Sequence, residues 1–299
     1  MAVTNQEIQE IANEVISSPA PEFVEIETWS TKLSDEGSEL GDVLKVPVYA
    51  TNLATTFNSD TNNYETEDGG GVEYKNVELT EHLKSTFTIK KQTSRFQMSQ
   101  MIKSAAVAVA KASSLFNYDL ILAANYAANQ VVGAAGAFDS DVVADSWNVA
   151  QDAEMNTDGR SMILTNPYYT ALLKDDALKA WQNSNSTETL RDSLVTRLND
   201  FDVLSSNTLA SSAGVAGENL VGFFTDKSAL AVATGIPEDP DPETSNLTTF
   251  KAIMTGPNGL TMQFRKHTSP ANGQVFGTVE MYQGAGVMDA TRLVRQVSA

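Results

Sequence analysis

Between Gly71 and Gly133 the chain runs without a Gly or Pro, and midway along that run its hydrophobic period changes from two to about three and a half. In the first half Val77, Leu79, Leu83, Phe87 and Ile89 share one face, while Asn76, Glu78, Thr80, Lys84, Thr86 and Thr88 share the other. Only an extended chain can use that alternation, so this half is expected as a strand. From Ser94 onward Met98, Ile102, Ala105, Val109, Phe116, Leu120, Ala124 and Ala127 recur at steps of three and four, or twice that, in an Ala-rich stretch. The spacing predicts a helix from Ser94 to Gln130, roughly 36 residues and about 54 Å long. A strand feeding without punctuation into so long a helix is rare in a compact enzyme. It points to a structural protein with a reach and a spine.

The 299 residues, 41% hydrophobic and 19% charged, suffice for one large or two ordinary globular domains. With 20 Lys and Arg against 38 Asp and Glu, the formal charge of -18 argues against a nucleic-acid binder, whose affinity comes largely from neutralising phosphates. Residues 1 to 42 hold ten acids and one base, a net of -9, so this arm carries half of the excess. The absence of cysteine excludes disulfides, thiolate metal sites and a cysteine nucleophile. No segment has the run of apolar residues of a membrane span, and the first residues lack the basic and apolar regions of a signal peptide, so a cytoplasmic site of synthesis is expected.

Thr4 and Glu7 have the spacing of a capping box, and Ile8, Ile11, Ala12 and Val15 then form one apolar stripe before Ser17-Ser18-Pro19. An extended arm is expected to follow, with Phe23, Ile26 and Trp29 as anchors. Gly41 opens a strand from Val43 to Thr51, and Pro47 assigns it to an edge because Pro cannot donate to a ladder. With Asn58 to Gly71 as a polar, acidic tip, Val43 to Lys91 reads as one long two-stranded hairpin. Such a hairpin is marginal alone, so it must rest on its own domain or on another subunit. A second helix is expected at about Asp141 to Glu154, and from Gly159 the texture becomes mixed α/β: a strand at Arg160 to Thr165, a helix from Asn166-Pro167, and a helix from Thr187 to Phe201. Strands follow at Val203 to Ser206, Leu220 to Thr225, Ala229 to Thr234, Thr248 to Thr255, Leu260 to His267, Gln274 to Tyr282 and Ala285 to Val297, with an exposed loop over Pro237 to Glu243.

Convergent chemistry is scarce. His82 and His267 have no i+4 partner, so no zinc site is expected and each reads as a surface residue. Gly284-Ala285-Gly286 follows a strand but opens no helix, which is the wrong setting for a dinucleotide fingerprint. The acid clusters Asp139, Asp141, Asp145 and Asp239, Asp241, Glu243 lack the Gly and distal Glu of an EF-hand. Lys90-Lys91, Arg265-Lys266, Arg95, Lys103, Arg292 and Arg295 are expected to answer acids on neighbouring segments. No cofactor, metal or catalytic residue is assigned.

The order of parts resembles the major capsid protein of tailed bacteriophages, the Hong Kong 97-type fold, over nearly the whole chain. The resemblance is carried by Gly41-Asp42-Val43-Leu44-Lys45-Val46-Pro47-Val48 opening the hairpin, Phe87-Thr88-Ile89-Lys90-Lys91 closing it, and Ser94 to Gln130 as spine. Ser161-Met162-Ile163-Leu164-Thr165-Asn166-Pro167 looks like the entry to the family's axial domain, and Phe201 to Asn207 like the stretch before its apical loops. Gly222-Phe223-Phe224 and Leu230-Ala231-Val232-Ala233 look like the strands after them.

The resemblance implies an α+β fold with an N-terminal arm (1–42), an extended hairpin (43–92), a peripheral domain with the spine helix (93–158 and 251–299) and a mixed α/β axial domain (159–250). It implies a homo-oligomer of hexamers and pentamers that closes an icosahedral shell around double-stranded DNA without sequence-specific binding, located in the virion and assembled in host cytoplasm. A portal would be a partner. An arm of about 40 residues leaves no room for a large fused scaffolding domain, so a separate scaffolding or cement protein, or scaffold-free assembly, is implied. Inter-subunit contacts are expected at Asn58, Tyr64, Glu67, Asp68, Lys75, Lys84 and Arg95, and scaffold contacts at Glu7, Glu10 and Glu14. Lys75 and Lys84 are candidates for the family's covalent cross-link by location only. No match fixes its Asn or its catalytic acid, and cross-linking is not expected. The alternative of the same fold is an encapsulin-like compartment enclosing cargo enzymes.

Overall fold

The computed structural model describes residues 28–34, 39–49, 56, 60, 71–90, 93–178, 197–237, 248–255, 261–269 and 273–299. The helix expected after Thr4, most of the hairpin tip, most of the helix expected over Thr187 to Phe201 and most of the loop over Pro237 to Glu243 lie outside the described residues. In chain order the strands are β1 (Thr31–Ser34), β2 (Val43–Tyr49), β3 (Val72–Glu78), β4 (Glu81–Ile89), β5 (Asn129–Val132), β6 (Ser161–Leu164), β7 (Arg197–Leu198) and β8 (Phe201–Ser205). They continue with β9 (Leu220–Thr225), β10 (Leu230–Gly235), β11 (Thr248–Thr255), β12 (Thr261–Thr268), β13 (Val275–Val287) and β14 (Leu293–Ser298). The helices used below are α1 (Arg95–Asp119), α2 (Ser140–Asp152), α3 (Asn166–Lys174) and α4 (Ala213–Glu218).

The two halves of the unpunctuated run pack on each other. Ser94 closes a capping box with Gln97, accepting from its backbone N–H at 3.3 Å while the Gln97 side chain accepts from the Ser94 N–H at 3.0 Å. That cap reverses the chain, and α1 lies over the sheet containing β4. Met98, Ile102, Ala105, Ala106, Val109 and Ala110 form one core with Phe264, Val279 and Met281, against which Leu83, Phe87 and Ile89 of β4 also pack. The apolar stripe of the helix and the apolar face of the strand are thus two sides of one interior.

The helix is shorter than its periodicity predicts, ending at Asp119 rather than Gln130. Its 25 residues span about 38 Å. Tertiary partners override propensity beyond that point. Ile121 and Tyr126 are fully buried, the Tyr126 hydroxyl donates to the Ala229 carbonyl at 3.1 Å, and the Asn125 amide donates to the Leu120 carbonyl at 2.8 Å. The Glu218 carboxylate accepts from the Ala123 N–H at 2.8 Å, taking a donor that a longer helix would have used internally. Glu218 also pairs with Arg295, whose Nε donates to the Tyr126 carbonyl at 2.8 Å.

The strand half differs too. Only β2 and β3 form the two-stranded ribbon, in register from Val43 opposite Glu78 to Tyr49 opposite Val72. After Leu79 and Thr80 the returning chain leaves its partner, and β4 pairs antiparallel with β13 from Glu81 opposite Gln283 to Ile89 opposite Val275. The hairpin expected up to Lys91 is therefore a ribbon continuing into a sheet strand. Alternation could not reveal this, because the apolar phase carries through the junction unchanged, with Val77 and Leu79 buried on the same parity as Leu83 and Phe87.

Among the described residues two six-stranded sheets make the body. One has the order β1-β10-β13-β12-β11, with β4 on the other side of β13; the second has the order β5-β14-β9-β6-β8-β7. The second sheet is covered on both faces, which is why β6 and β9 read as unbroken apolar runs. Val143 and Ala150 of α2 and Tyr168 and Leu172 of α3 close one side with Met162, Leu164, Val203 and Phe224. On the other side Trp29 stacks on Tyr118 at 5.6 Å between ring centroids and meets the edge of Phe223 at 5.1 Å. The chain passes from the second sheet to the first between β9 and β10, and returns between β13 and β14. These crossings lie side by side: the Met288 N–H donates to Ala229 at 2.9 Å and the Thr225 hydroxyl to Arg292 at 2.9 Å. Leu230–Gly235 thereby joins the sheet under the spine helix, and Leu293–Ser298 joins the other, so strand pairing interleaves the two halves that the family resemblance divides at 250/251.

Candidate assembly surface

The β2/β3 ribbon presents two faces set by its register. Leu44, Val46 and Val48 stand on the face of Lys75 and Val77, and pack with Leu33, Ala231, Ala233, Leu79 and Met288. Val43, Lys45 and Pro47 stand on the opposite face with Val72, Tyr74, Asn76 and Glu78. That outer face keeps its apolar groups in solvent: Tyr74 is 63% exposed, and Val43 and Val72 are each 47% exposed. Among the described residues neither outer edge of the ribbon pairs with another strand. A two-stranded ribbon with free edges and a partly apolar outer face needs a further surface to be stable.

The root of this ribbon is held rigidly. Gly41, at φ 93°, donates its N–H to the Leu79 carbonyl at 2.9 Å, Leu79 donates to Asp42 at 3.0 Å, and Thr80 donates to Gln283 of β13 at 3.1 Å. Here β3 crosses directly over β13. A Cβ on Gly284 would collide with the Glu78 carbonyl oxygen and lie 2.7 Å from its carbon, and one on Gly286 would lie 3.1 Å from both the Asn76 oxygen and Val77 Cγ2. The Gly284-Ala285-Gly286 stretch is thus the seat of the ribbon, with glycines where backbone meets backbone.

A charged clasp lies beside that seat. Glu280, with a side chain 7% exposed, forms an ion pair with Arg265 Nη2 of β12 at 2.8 Å and contacts His82 Nε2 of β4 at 3.1 Å. Lys84 stands opposite it in register, and the Thr86 and Thr278 hydroxyls bond at 3.0 Å two residues along. The same β12 strand carries His267, stacked on Phe276 at 5.6 Å between ring centroids. Burial and then the Arg265 charge hold His267 below its ordinary pKa of 6.5, with Glu280 opposing. The folded state therefore resists protonation that the unfolded chain accepts near pH 6.5, so stability falls as pH drops through the window beneath that value. His267→Gln should flatten that part of the stability profile in urea titrations between pH 7 and 5, whereas an unchanged slope would assign it to other groups.

Of the residues expected at inter-subunit contacts, Lys75 lies in the ribbon and pairs with Glu73 at 2.7 Å, Lys84 is exposed on β4, and Arg95 is exposed at the first turn of α1. Lys75 and Lys84 are on consecutive strands, whereas Arg95 lies beyond the far end of β4. Asn58, Tyr64, Glu67, Asp68, Glu7, Glu10 and Glu14 are outside the described residues. Sequence reasoning passed over Val72, Tyr74 and Phe96, the last 73% exposed. Their signal was available as apolar residues occupying the polar phase of an amphipathic element. The expectation that basic residues answer neighbouring acids holds for Arg265 with Glu280, Arg292 with Asp289 and Arg295 with Glu218. Asp139 caps α2, accepting from the Val142 N–H at 3.2 Å. Among the described residues no group of three metal-ligating side chains converges, and no helix is long and apolar enough to cross a membrane.

No family model matches the sequence, and no curated protein matches it. Solved structures do. The capsid structure of the cyanophage P-SCSP1u shares 12% identity and superposes with a TM-score of 0.59, covering 90% of this chain and 86% of that one. The capsid of a native GTA particle shares 14% identity with a TM-score of 0.58 over 94% and 92% of the two chains. A virus-like particle from Pyrococcus furiosus shares 11% identity with a TM-score of 0.54 over 97% and 98%.

Proposed function

We propose that this chain, which has the Hong Kong 97-type fold of phage capsid subunits, is a major capsid protein that closes an icosahedral shell from hexamers and pentamers around double-stranded DNA. The observation that carries the reading is the seated ribbon with its exposed Val43, Val72 and Tyr74, a device that serves a neighbour better than it serves its own subunit. Laid over an adjacent copy, it would gain the burial and edge pairing it lacks alone. The sheet beneath α1 then acts as the peripheral half and the doubly covered sheet as the axial half. The acidic surface suits a container that encloses nucleic acid without gripping it. A portal and a separate scaffolding or cement protein complete the set of partners, and residence is in the virion after assembly in the host cytoplasm.

Electron microscopy of purified protein tests the class, since icosahedral shells are expected and a monodisperse monomer under all conditions would overturn it. The paired variant Val72→Lys/Tyr74→Glu tests the surface. Both side chains are exposed, so stability should change by no more than about 0.5 kcal/mol, while shell yield should collapse. Normal shells from that variant would sink the role of the ribbon. An encapsulin-like compartment is the second reading, favoured by the match over 98% of the virus-like particle subunit. Purified shells would then hold enzymes in place of DNA.

A further inference from the structure

A polar cluster that the capsid reading does not use lies between α1 and β13, next to the seat of the ribbon. Ser113 and Asn117 stand one turn apart on α1, Gln283 stands on β13, and all three are 0% exposed. Gln283 Nε2 donates to the Ser113 carbonyl at 3.1 Å and to Asn117 Oδ1 at 3.0 Å. A carbonyl can only accept, so the Gln283 amide must turn its nitrogen to Ser113, and Asn117 must then offer its oxygen. Both amides are thereby oriented, and their other ends are left over. Among the described residues Gln283 Oε1, Asn117 Nδ2 and Ser113 Oγ have no hydrogen-bond partner. Ala106 and Ala110, buried in the preceding turns of α1, have no polar side-chain atom to supply. Three unmet groups in one buried cluster call for a partner from outside the chain, because each would otherwise bear its full desolvation cost.

We infer that this cluster is the binding site of a single water molecule, which joins α1 to β13. The chemistry of the three atoms selects it. The ligand must donate to Gln283 Oε1 and accept from Asn117 Nδ2, while the Ser113 hydroxyl can do either. A metal cation cannot accept a hydrogen bond, and a halide cannot donate one. Water does both and makes about three bonds when buried in a protein, the number offered here. Size agrees with chemistry, for the two amides already meet at 3.0 Å through Nε2 and Oδ1, and only a very small molecule can reach both of their free ends. The position gives the water a mechanical role. The Gln283 carbonyl accepts from the Thr80 N–H at 3.1 Å, the bond that ties the ribbon root to β13. Through Gln283 the water therefore couples the last turns of α1 to the strand that aims the ribbon. That coupling belongs to the folded subunit and does not depend on the shell reading.

A high-resolution map of the full chain, from crystals or from assembled particles, should show a density peak at hydrogen-bond distance, about 2.6–3.2 Å, from all three atoms. Urea unfolding supplies the energetic arm. Ser104→Ala, on the exposed face of α1, is the reference, since Ala is a better helix former than Ser and should raise the folding constant about twofold. Relative to that reference, Ser113→Ala should lower the folding constant by about fivefold, because it removes a hydroxyl that the water satisfies. Were that hydroxyl unpartnered, its removal would leave the constant equal to the reference or higher. A map without the peak overturns the inference, as does a map in which Ser113 bonds Gln283 directly. So does a Ser113→Ala protein at or above the reference.

Discussion

Gly284→Val should lower the stability of the protein by about 3 kcal/mol and, under the proposed shell-forming role, abolish assembly. The new side chain would be driven into the Glu78 carbonyl, and the nearest atoms it meets are all backbone of Glu78 and Leu79. A flexible side chain could swing aside. Here relief requires lifting β3 from β13, which strains the Thr80-to-Gln283 bond and the Gly41-to-Leu79 bond that aim the ribbon. Urea unfolding reads the stability loss, and electron microscopy reads the assembly loss. Gly217→Ala is the control, because nothing lies within 4 Å of a Cβ there and both measurements should stay near wild type. A Gly284→Val protein with wild-type stability would show that the root crossing yields freely, and the seat would then have no rigid role.

Trp29→Ala should cost about 4 kcal/mol. The indole is fully buried between Tyr118 and Phe223, and joins the start of the described chain to the end of α1 and the centre of the second sheet. Its truncation leaves a large void in the core it shares with Ile163, Leu209 and Leu230, which are themselves fixed in strands or turns and cannot collapse to fill it. Trp29→Phe separates burial from polar bonding. Among the described residues Trp29 Nε1 has no hydrogen-bond partner, so the phenyl ring loses no bond there and should cost about 1 kcal/mol. Equal losses for the two variants, measured by chemical unfolding, would refute packing as the source.

Much of this architecture was legible because burial imposes a period. The change from two to about three and a half located β4 and α1, and unbroken apolar runs located β6, β9 and β10. What stayed hidden depends on partners distant in sequence. Nothing local says that Ala123 gives its N–H to Glu218, and without that knowledge the Ala-rich stretch beyond Asp119 continues as a helix on paper. Nothing local says that β3 releases its hairpin partner at Glu78, because both sides of the junction bury the same parity of residue. The candidate surface was legible in outline, as a ribbon in need of support. Its apolar contacts at Val72 and Tyr74 were masked by the strand's average polarity, and the seat at Gly284 and Gly286 looked like a failed nucleotide motif until the crossing gave it a reason.

The crossing also sets an order of events. α1 can fold back on β4 as soon as both have been made, since the reversal at Ser94 is local. The clasp across β4 and β13 joins residues separated by 192 to 198 positions, as in the pairs Thr86–Thr278 and His82–Glu280. The strand carrying Gly284 leaves the ribosome long after β3 and β4. Until it arrives, the ribbon has no fixed direction in which to point. A nascent chain that has not yet made β13 therefore lacks an aimed ribbon, and under the proposed shell-forming role readiness to join other subunits becomes a checkpoint passed only once that strand has arrived.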